Sequence, residues 1–347
     1  MTFPQLFANR PMPLSMDQAS DIAAGFGICG KLSPLESERD QNIRIEVPDG
    51  PGYVLKITNP EEPPSVTAFE TYVLEHLAVT AAHLPVPRLV RTLDGALAVR
   101  WPAIGGERTV RLLTFLSGTP LVKASATPTL RASIGYTLAA LDAALRPVSP
   151  QTQSRCLLWD FGQVLQLRSL LPTCANSALR TRLELAFDRL DAERISCRTD
   201  MRPQWLHNDF NPYNVLVSSA NMAKVTGIVD FGDMAYGPLV CDLAVACAYS
   251  LHRAAPFDSM ADVIEGFNIH TPLSAVELNL LPLLIEVRFA MTVLITQWRA
   301  ALNPNNRAYI LRNSPGALAG LAAIGEESAS AVSALFQRRL CKGTAFR

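Results

Sequence analysis

The 347-residue chain predicts an α+β fold of two lobes, an antiparallel-sheet lobe followed by a mainly helical one. Residues 31–116 read as short strands broken by Pro, Gly and Asp turns. Beyond Gly118 the apolar period lengthens to that of helices. The change happens once, without βαβ alternation, so a doubly wound sheet is not expected. The lobes are placed at 1–116 and 117–347.

Within the first lobe, residues 1–20 are proline-rich and weakly patterned, and Met16 to Phe26 reads as a short helix capped by Ser15. Lys31–Leu35, Asn42–Val47 and Tyr53–Ile57 form a meander, its last turn made by Pro48-Asp49-Gly50-Pro51-Gly52. Val66 to Ala78 carries Phe69, Tyr72, Val73 and Leu77 at helical spacing. Arg88–Thr92 and Ala96–Val99 flank an Asp94-Gly95 hairpin turn, and Arg108–Leu116 is the lobe's last strand.

In the second lobe, Leu130, Ile134, Leu138, Leu141 and Leu145 recur at offsets of 4, 8, 11 and 15, an amphipathic helix. Further helical segments run from Leu157 to about Leu171, Ala178 to Ile195, Asp242 to Ser250, Met260 to Phe267, Ala275 to Leu302 and Ser314 to Ile324.

Composition narrows the function. Thirty-one basic residues balance 31 acidic ones, so no net field draws the chain to nucleic acid or an anionic membrane. The seven cysteines (29, 156, 174, 197, 241, 247, 341) are scattered and include no Cys-x-x-Cys. They predict reduced thiols in a cytoplasmic protein, without a zinc site or disulfide framework. The N-terminus lacks the charged-then-apolar order of a signal peptide. The most apolar stretch, Leu278–Leu302, is interrupted by Glu286, Arg288, Gln297 and Arg299, which predicts a buried helix and no membrane span.

Two places hold residues that apolar packing does not explain. Lys56 lies among Val54, Leu55 and Ile57, where an ammonium is costly unless paired. Glu70 and Glu75 on the next helix are its candidate partners. The stretch from Trp205 to Asp242 holds His207-Asn208-Asp209, Asn214, an apolar run at Val215–Val217, a Ser218–Asn221 turn and Gly227-Ile228-Val229-Asp230-Phe231-Gly232. A hairpin here brings Asn214 and Asp230, 16 positions apart, to one end of the ribbon, with Asp209 on the adjoining loop. Two carboxylates and an amide are oxygen donors of the kind Mg²⁺ prefers, and one carboxylate can orient a hydroxyl. Phosphoryl transfer to an alcohol needs those parts.

The spacing His-x-Asp-x-x-x-x-Asn followed by Asp-Phe-Gly resembles the catalytic and metal loops of the protein-kinase-like fold. The chain looks most like the aminoglycoside phosphotransferase and choline kinase-like families, and within them the hydroxylysine kinase-like group, whose Glu-Arg-Asp-Gln-Asn string it shares at residues 38–42. The resemblance runs from the Ser37 loop to the region of Tyr309. It implies a kinase using ATP and Mg²⁺, with Asp209 as base or hydroxyl-orienting group and Asn214 and Asp230 as metal ligands. Lys56 would hold phosphates and pair with Glu70, preferred over Glu75 because similar families place the glutamate about two turns before the closing leucine.

The Ser37 loop would cover phosphates where protein kinases carry glycines. Thr114, Phe115 and Leu116 would be the hinge that meets adenine. His207 would brace the loop, and Asp242 would accept hydrogen bonds from its backbone or cap a helix. Asp233 would join the metal shell or cap a turn. Asn208 stands where glycine is common. Trp159 and Asp160 are candidates for meeting an ammonium group, and Arg288 for holding a carboxylate unless it pairs with Glu286.

The expected acceptor is a small hydroxylated amine or amino acid, hydroxylysine-like. Homoserine, choline, ethanolamine, an aminoglycoside and a pseudokinase are the alternatives. Only 11 residues separate Asp230 from Asp242, too few for a peptide-docking segment. No Gly-x-x-x-x-Gly-Lys-Ser/Thr motif appears, which excludes a P-loop enzyme.

Overall fold

The computed structural model describes residues 12–37, 39–149, 157–197, 200–221, 223–327 and 329–344. Residues 1–11, Glu38 of the charged loop, Cys156 and the side chain of Cys197 lie outside that description. The chain divides into two compact units. The first runs to Gly118 and includes Thr226–Gly232; the second holds residues 119–150, Leu157–Val225 and the chain from Asp233 on.

In the first unit, helix α1 (Met16–Gly25) starts at a capping box, in which Ser15 and Gln18 each satisfy the other's backbone N–H. Strands β1 (Lys31–Leu35), β2 (Gln41–Glu46) and β3 (Gly52–Ile57) form the expected antiparallel meander. Helix α2 (Pro64–Thr80) follows, then β4 (Leu89–Val90), β5 (Val99–Ala103) and β6 (Gly106–Thr114). The sheet order is β1-β2-β3-β6-β4, with β5 also on β6.

Successive side chains on a strand point to opposite faces, and this sheet uses the two faces differently. Ile43, Ile45, Leu55, Ile57, Val110 and Leu112 pack with Leu14, Ile22 and Phe26 in one apolar cluster. Lys56 and Arg111, out of step with that set, are register partners on β3 and β6.

The expected Asp94-Gly95 hairpin is corrected. The turn forms, with Thr92 N–H donating to Ala96 O at 2.8 Å, but β4 and β5 pair with β6 and not with each other. The β5–β6 reversal lies at Gly105 and Gly106, whose φ of +90° and +126° suits glycine. That Gly-Gly pair was the stronger hairpin signal.

The second unit opens with β7 (Thr119–Pro120) and α3 (Pro128–Leu145), on which all five leucine and isoleucine positions named above are buried. Residues Phe161–Thr173 form a 3₁₀ segment containing Pro172, not an α-helix. Then come α4 (Ser177–Cys197), β8 (Pro203–Leu206), β9 (Val215–Val217) and β11 (Ala235–Pro238); β10 (Val225–Ile228), between β9 and β11 in sequence, belongs from Thr226 on to the first unit. Helices α5 (Val240–Tyr249), α6 (Pro256–His270), α7 (Ala275–Leu302), α8 (Arg307–Ile310), α9 (Ser314–Glu326) and α10 (Ala329–Thr344) complete it. The short strands β7, β8 and β11 and helices α8 and α10 were not expected from sequence. Helix α7 is long and apolar enough to cross a membrane, and 94% of its most apolar window is buried inside the structure.

Helices α3 and α6 approach through glycine. A Cβ on Gly266 would lie 1.9 Å from Ala132 O, and one on Gly135 would lie 1.9 Å from Val263 O. Backbone cannot yield as a side-chain tip can, so Gly266→Ala is expected to destabilise the chain by about 1–3 kcal/mol or more. Urea unfolding measures it; an unchanged midpoint would show that the helices part at little cost.

Candidate active site

The first unit collects charge on the polar face of its sheet. Glu70, buried on α2, bridges the two cations: its Oε1 lies 3.3 Å from Lys56 Nζ and its Oε2 accepts from Arg111 Nη2 at 2.8 Å. Directly opposed like charges on neighbouring strands repel. The bridging carboxylate is what lets Lys56 and Arg111 share this register. Lys56 Nζ also lies 3.3 Å from Asp230 Oδ1 and 3.6 Å from Asp40 Oδ2.

Burial alone would lower the pKa of Lys56, but Glu70, Asp230 and Asp40 together hold it above its ordinary value. Burial would raise Glu70, and Arg111 and Lys56 pull it down to about 2 instead. Glu75 is elsewhere, on the surface with Arg91 at 2.8 Å. Of the two candidate glutamates, Glu70 is the one paired with Lys56.

Asp230 has φ +65°, unusual for a residue with a side chain, and its Oδ1 accepts from Gly232 N–H at 3.3 Å. Thr114 N–H donates to Arg88 O and Phe115 N–H to Gly52 O, so both amides of the expected hinge are engaged by protein. Leu116 follows them beyond the end of β6. Ser37 lies in the β1–β2 connection, half-buried.

The second unit holds the His207–Asn214 loop. Asp242, buried near the start of α5, accepts His207 N–H on Oδ2 at 2.7 Å and Asn208 N–H on Oδ1 at 2.8 Å. Asn208 sits at φ +63°, and its Nδ2 donates to Asp233 O at 3.0 Å. Its side chain thus anchors a backbone conformation that usually selects glycine. The His207 ring packs edge-on against Phe210 with centroids 5.9 Å apart.

Asp209 is held on both oxygens. Oδ1 accepts from Asn211 Nδ2 at 2.9 Å, and Oδ2 accepts from Asn214 Nδ2 at 2.7 Å. With its Nδ2 so engaged, Asn214 keeps Oδ1 as its donor atom toward a cation. Arg288 comes from α7, buried, with Nη2 3.7 Å from Asp209 Oδ1 and Nη1 donating to Trp159 O at 3.2 Å. Its guanidinium lies over the Trp159 ring at 4.9 Å and the Tyr249 ring at 5.7 Å. Arg288 Nε and Nη2 have no hydrogen-bond partner among the described residues. Glu286 pairs with Arg189 at 2.7 Å, not with Arg288. Asp160 caps the 3₁₀ segment: its carboxylate accepts from Gly162 N–H at 2.7 Å and Gln163 Nε2 at 3.2 Å.

The structure therefore brings Lys56, Glu70 and Asp230 together in one unit, and Asp209, Asn214, Arg288 and Trp159 in the other. Sequence reasoning missed Arg111, Asp40 and Asn211. Arg111 was findable by the argument used for Lys56, because a guanidinium among Val110, Leu112 and Leu113 also demands a partner.

Comparison with known proteins gives the family. Residues 31–271 match the model of the phosphotransferase enzyme family, APH. Hydroxylysine kinase of Mus musculus is 28% identical over 327 residues, covering 87% of this chain and 86% of that protein. Hydroxylysine kinase of Danio rerio is 25% identical over 326 residues, covering 90% and 92%. Among solved structures, a microcompartment-associated aminopropanol kinase superposes with TM-score 0.71 at 18% identity, over 92% of this chain and 99% of that one. Amicoumacin kinase in complex with AMP-PNP, Ca²⁺ and Ami superposes with TM-score 0.64 at 15% identity, over 86% and 92%.

These likenesses show the two-lobed kinase-like fold. With the family match spanning well over half its length, the chain belongs to the APH phosphotransferase enzyme family and is an ATP-dependent phosphotransferase acting on hydroxyl groups.

Proposed function

We propose that the chain phosphorylates the hydroxyl of a small hydroxylated amino acid, with hydroxylysine the leading acceptor, and that residues 1–116 bind nucleotide while 117–347 carry the acceptor site. The single observation that carries the acceptor class is Arg288. Its Nε–Nη2 edge, the side of a guanidinium that matches a carboxylate in two parallel hydrogen bonds, makes no hydrogen bond among the described residues, although Nη2 lies 3.7 Å from Asp209 Oδ1. That edge lies beside Asp209, so a carboxylate bound there belongs to the molecule whose hydroxyl Asp209 meets. Hydroxylysine kinases as relatives support the same class.

In this reading Lys56 steadies phosphate oxygens, held ready by Glu70. Asp209, its direction fixed by Asn211 and Asn214, orients the acceptor hydroxyl and takes its proton. The transition state of phosphoryl transfer is loose, so little proton abstraction is needed before the phosphorus–oxygen bond breaks. The oxygen donors Asn214 Oδ1 and Asp230 suit Mg²⁺. Mg²⁺ is commonly held through one or two protein groups together with substrate phosphates, and bound here it would neutralise phosphate charge. Adenine is assigned to Leu116 N–H and the carbonyls of residues 114–116, since the amides of Thr114 and Phe115 are engaged.

The test is MgATP consumption over hydroxylysine, homoserine, ethanolamine, choline and an aminoglycoside, with Arg288→Lys alongside. Lysine cannot reproduce the two-pronged edge. KM for the amino acid should rise about 10- to 100-fold, the loss of a charge-assisted hydrogen bond, with KM for MgATP little changed. Preference for choline or ethanolamine, or equal loss toward all acceptors, would remove Arg288 from this role.

A further inference from the structure

We propose that Asp142 is a positioning residue for the catalytic loop: it carries a proton at working pH and donates it to Asp242, fixing the carboxylate that holds His207 and Asn208. This rests on the phosphoryl-transfer reading above, in which Asp209, next along the loop, meets the acceptor hydroxyl.

Asp142 lies in the last turn of α3, fully buried. Neither of its side-chain oxygens has a hydrogen-bond donor among the described residues. An ionised carboxylate with no donor is untenable in such a place, and the negative end of the α3 dipole disfavours it further. The group it faces is the equally buried Asp242, a carboxylate and so an acceptor. Only one arrangement satisfies both: a proton on Asp142, shared with Asp242.

The roles are not interchangeable. Both Asp242 oxygens already accept loop amides, at 2.7 and 2.8 Å, so Asp242 is the member held as carboxylate. The two facing cations fall short of neutralising Asp142. Arg146, just past α3, and Arg202, before β8, lower its pKa only in part, and Arg202 is itself bound to Glu277 at 2.6 Å. On α6, Asp262 is taken by Arg131 and Arg339. Burial first, then Asp242, push Asp142 well above the ordinary carboxylate range. Burial also raises Asp242, against the His207 ring, the loop amides and Asp142, which pull it down.

The consequence reaches the site through backbone. Asn208 sits at φ +63° between the two amides' anchor and Asp209. A second negative charge on Asp142 would repel Asp242 and loosen the amides that fix this conformation. Catalysis should then fall at alkaline pH by ionisation of a group that touches no substrate.

Three readouts on the full chain test this. Asp142→Ala should lower kcat about tenfold or more with KM for MgATP little changed, and Asp142→Asn, which keeps a neutral donor, should rescue most of it and abolish the alkaline fall of kcat. Because the folded chain prefers the protonated acid, wild-type stability is fullest below the ordinary aspartate pKa and declines as pH rises toward the raised one. The folding equilibrium of Asp142→Asn should therefore gain on wild type by up to tenfold per pH unit across that interval.

Infrared spectra at neutral pH should show a protonated-carboxyl C=O band in wild type that Asp142→Asn lacks. This readout needs no turnover, so it stands even if the acceptor is wrongly assigned. A band that survives in Asp142→Asn, an alkaline fall that persists there, or a stability difference independent of pH would each overturn the proposal.

Discussion

Asp209→Asn is expected to lower kcat by about 10²- to 10⁴-fold, the range for losing a positioned proton acceptor, while MgATP binding changes little. The substitution keeps the shape that Asn211 and Asn214 grip, since both donate to Asp209 oxygens at 2.9 and 2.7 Å. It removes the charge that faces Arg288 Nη2 at 3.7 Å and, in the proposed function, an oxygen able to receive the hydroxyl proton. One new amide N–H must face a donor, Asn211 or Asn214, so some loosening of the loop is expected in thermal melts. Steady-state kinetics with nucleotide titration separates the two effects. A fall in kcat of less than tenfold would show that Asp209 neither orients nor deprotonates the acceptor.

The second large effect concerns Glu70. Its removal leaves Lys56 and Arg111, both buried and directly opposed in the sheet, without the carboxylate that bridges them. Breaking a buried pair from one side costs about 3–5 kcal/mol, and Glu70→Gln is expected to fall in that range. Lys56 keeps Asp230 and Asp40, so the ammonium is expected to shift toward them, and KM for MgATP should rise.

The pH dependence has a definite sign. Arg111 and Lys56 hold Glu70 at about 2 in the folded chain, below the ordinary value of 4.5, so its stabilisation is complete above 4.5 and lost as pH falls through about 2. The stability gap between wild type and Glu70→Gln should be flat above about pH 5 and narrow by about 3 kcal/mol toward pH 2. Denaturant unfolding at a series of pH values measures it. A gap independent of pH would mean that Glu70 contributes packing and not charge.

Much of this was legible in the sequence because local pattern and chemistry agreed. The meander from Lys31 to Ile57 follows from alternation and turn residues, and its buried set, Ile43, Ile45, Leu55 and Ile57, is the apolar half of that alternation. Lys56 betrayed itself as a charge out of place. The His207–Asn214 loop was recognisable by spacing, and Asp242 was placed against its backbone.

What stayed hidden depends on partners distant in sequence. Asp40 lies 3.6 Å from Lys56, although the surrounding string reads in the sequence only as a loop covering phosphates. Asp142 looked like one polar residue on an amphipathic helix, and only the fold sets it against Asp242, 100 positions away. Asp160 read as a free carboxylate beside an aromatic ring, yet it caps the 3₁₀ segment through Gly162 and Gln163. The β4–β5 error came from reading Asp94-Gly95 as a hairpin and leaving Gly105-Gly106, where the chain reverses into β6, unread.

The most direct test of the account is phosphorus NMR of wild-type protein with MgATP and hydroxylysine, run beside Asp209→Asn. The expected result is a phosphomonoester signal growing in step with ADP, without free phosphate, and absent from the variant. ATP converted only to ADP and inorganic phosphate, or an ester formed equally well by Asp209→Asn, would contradict it.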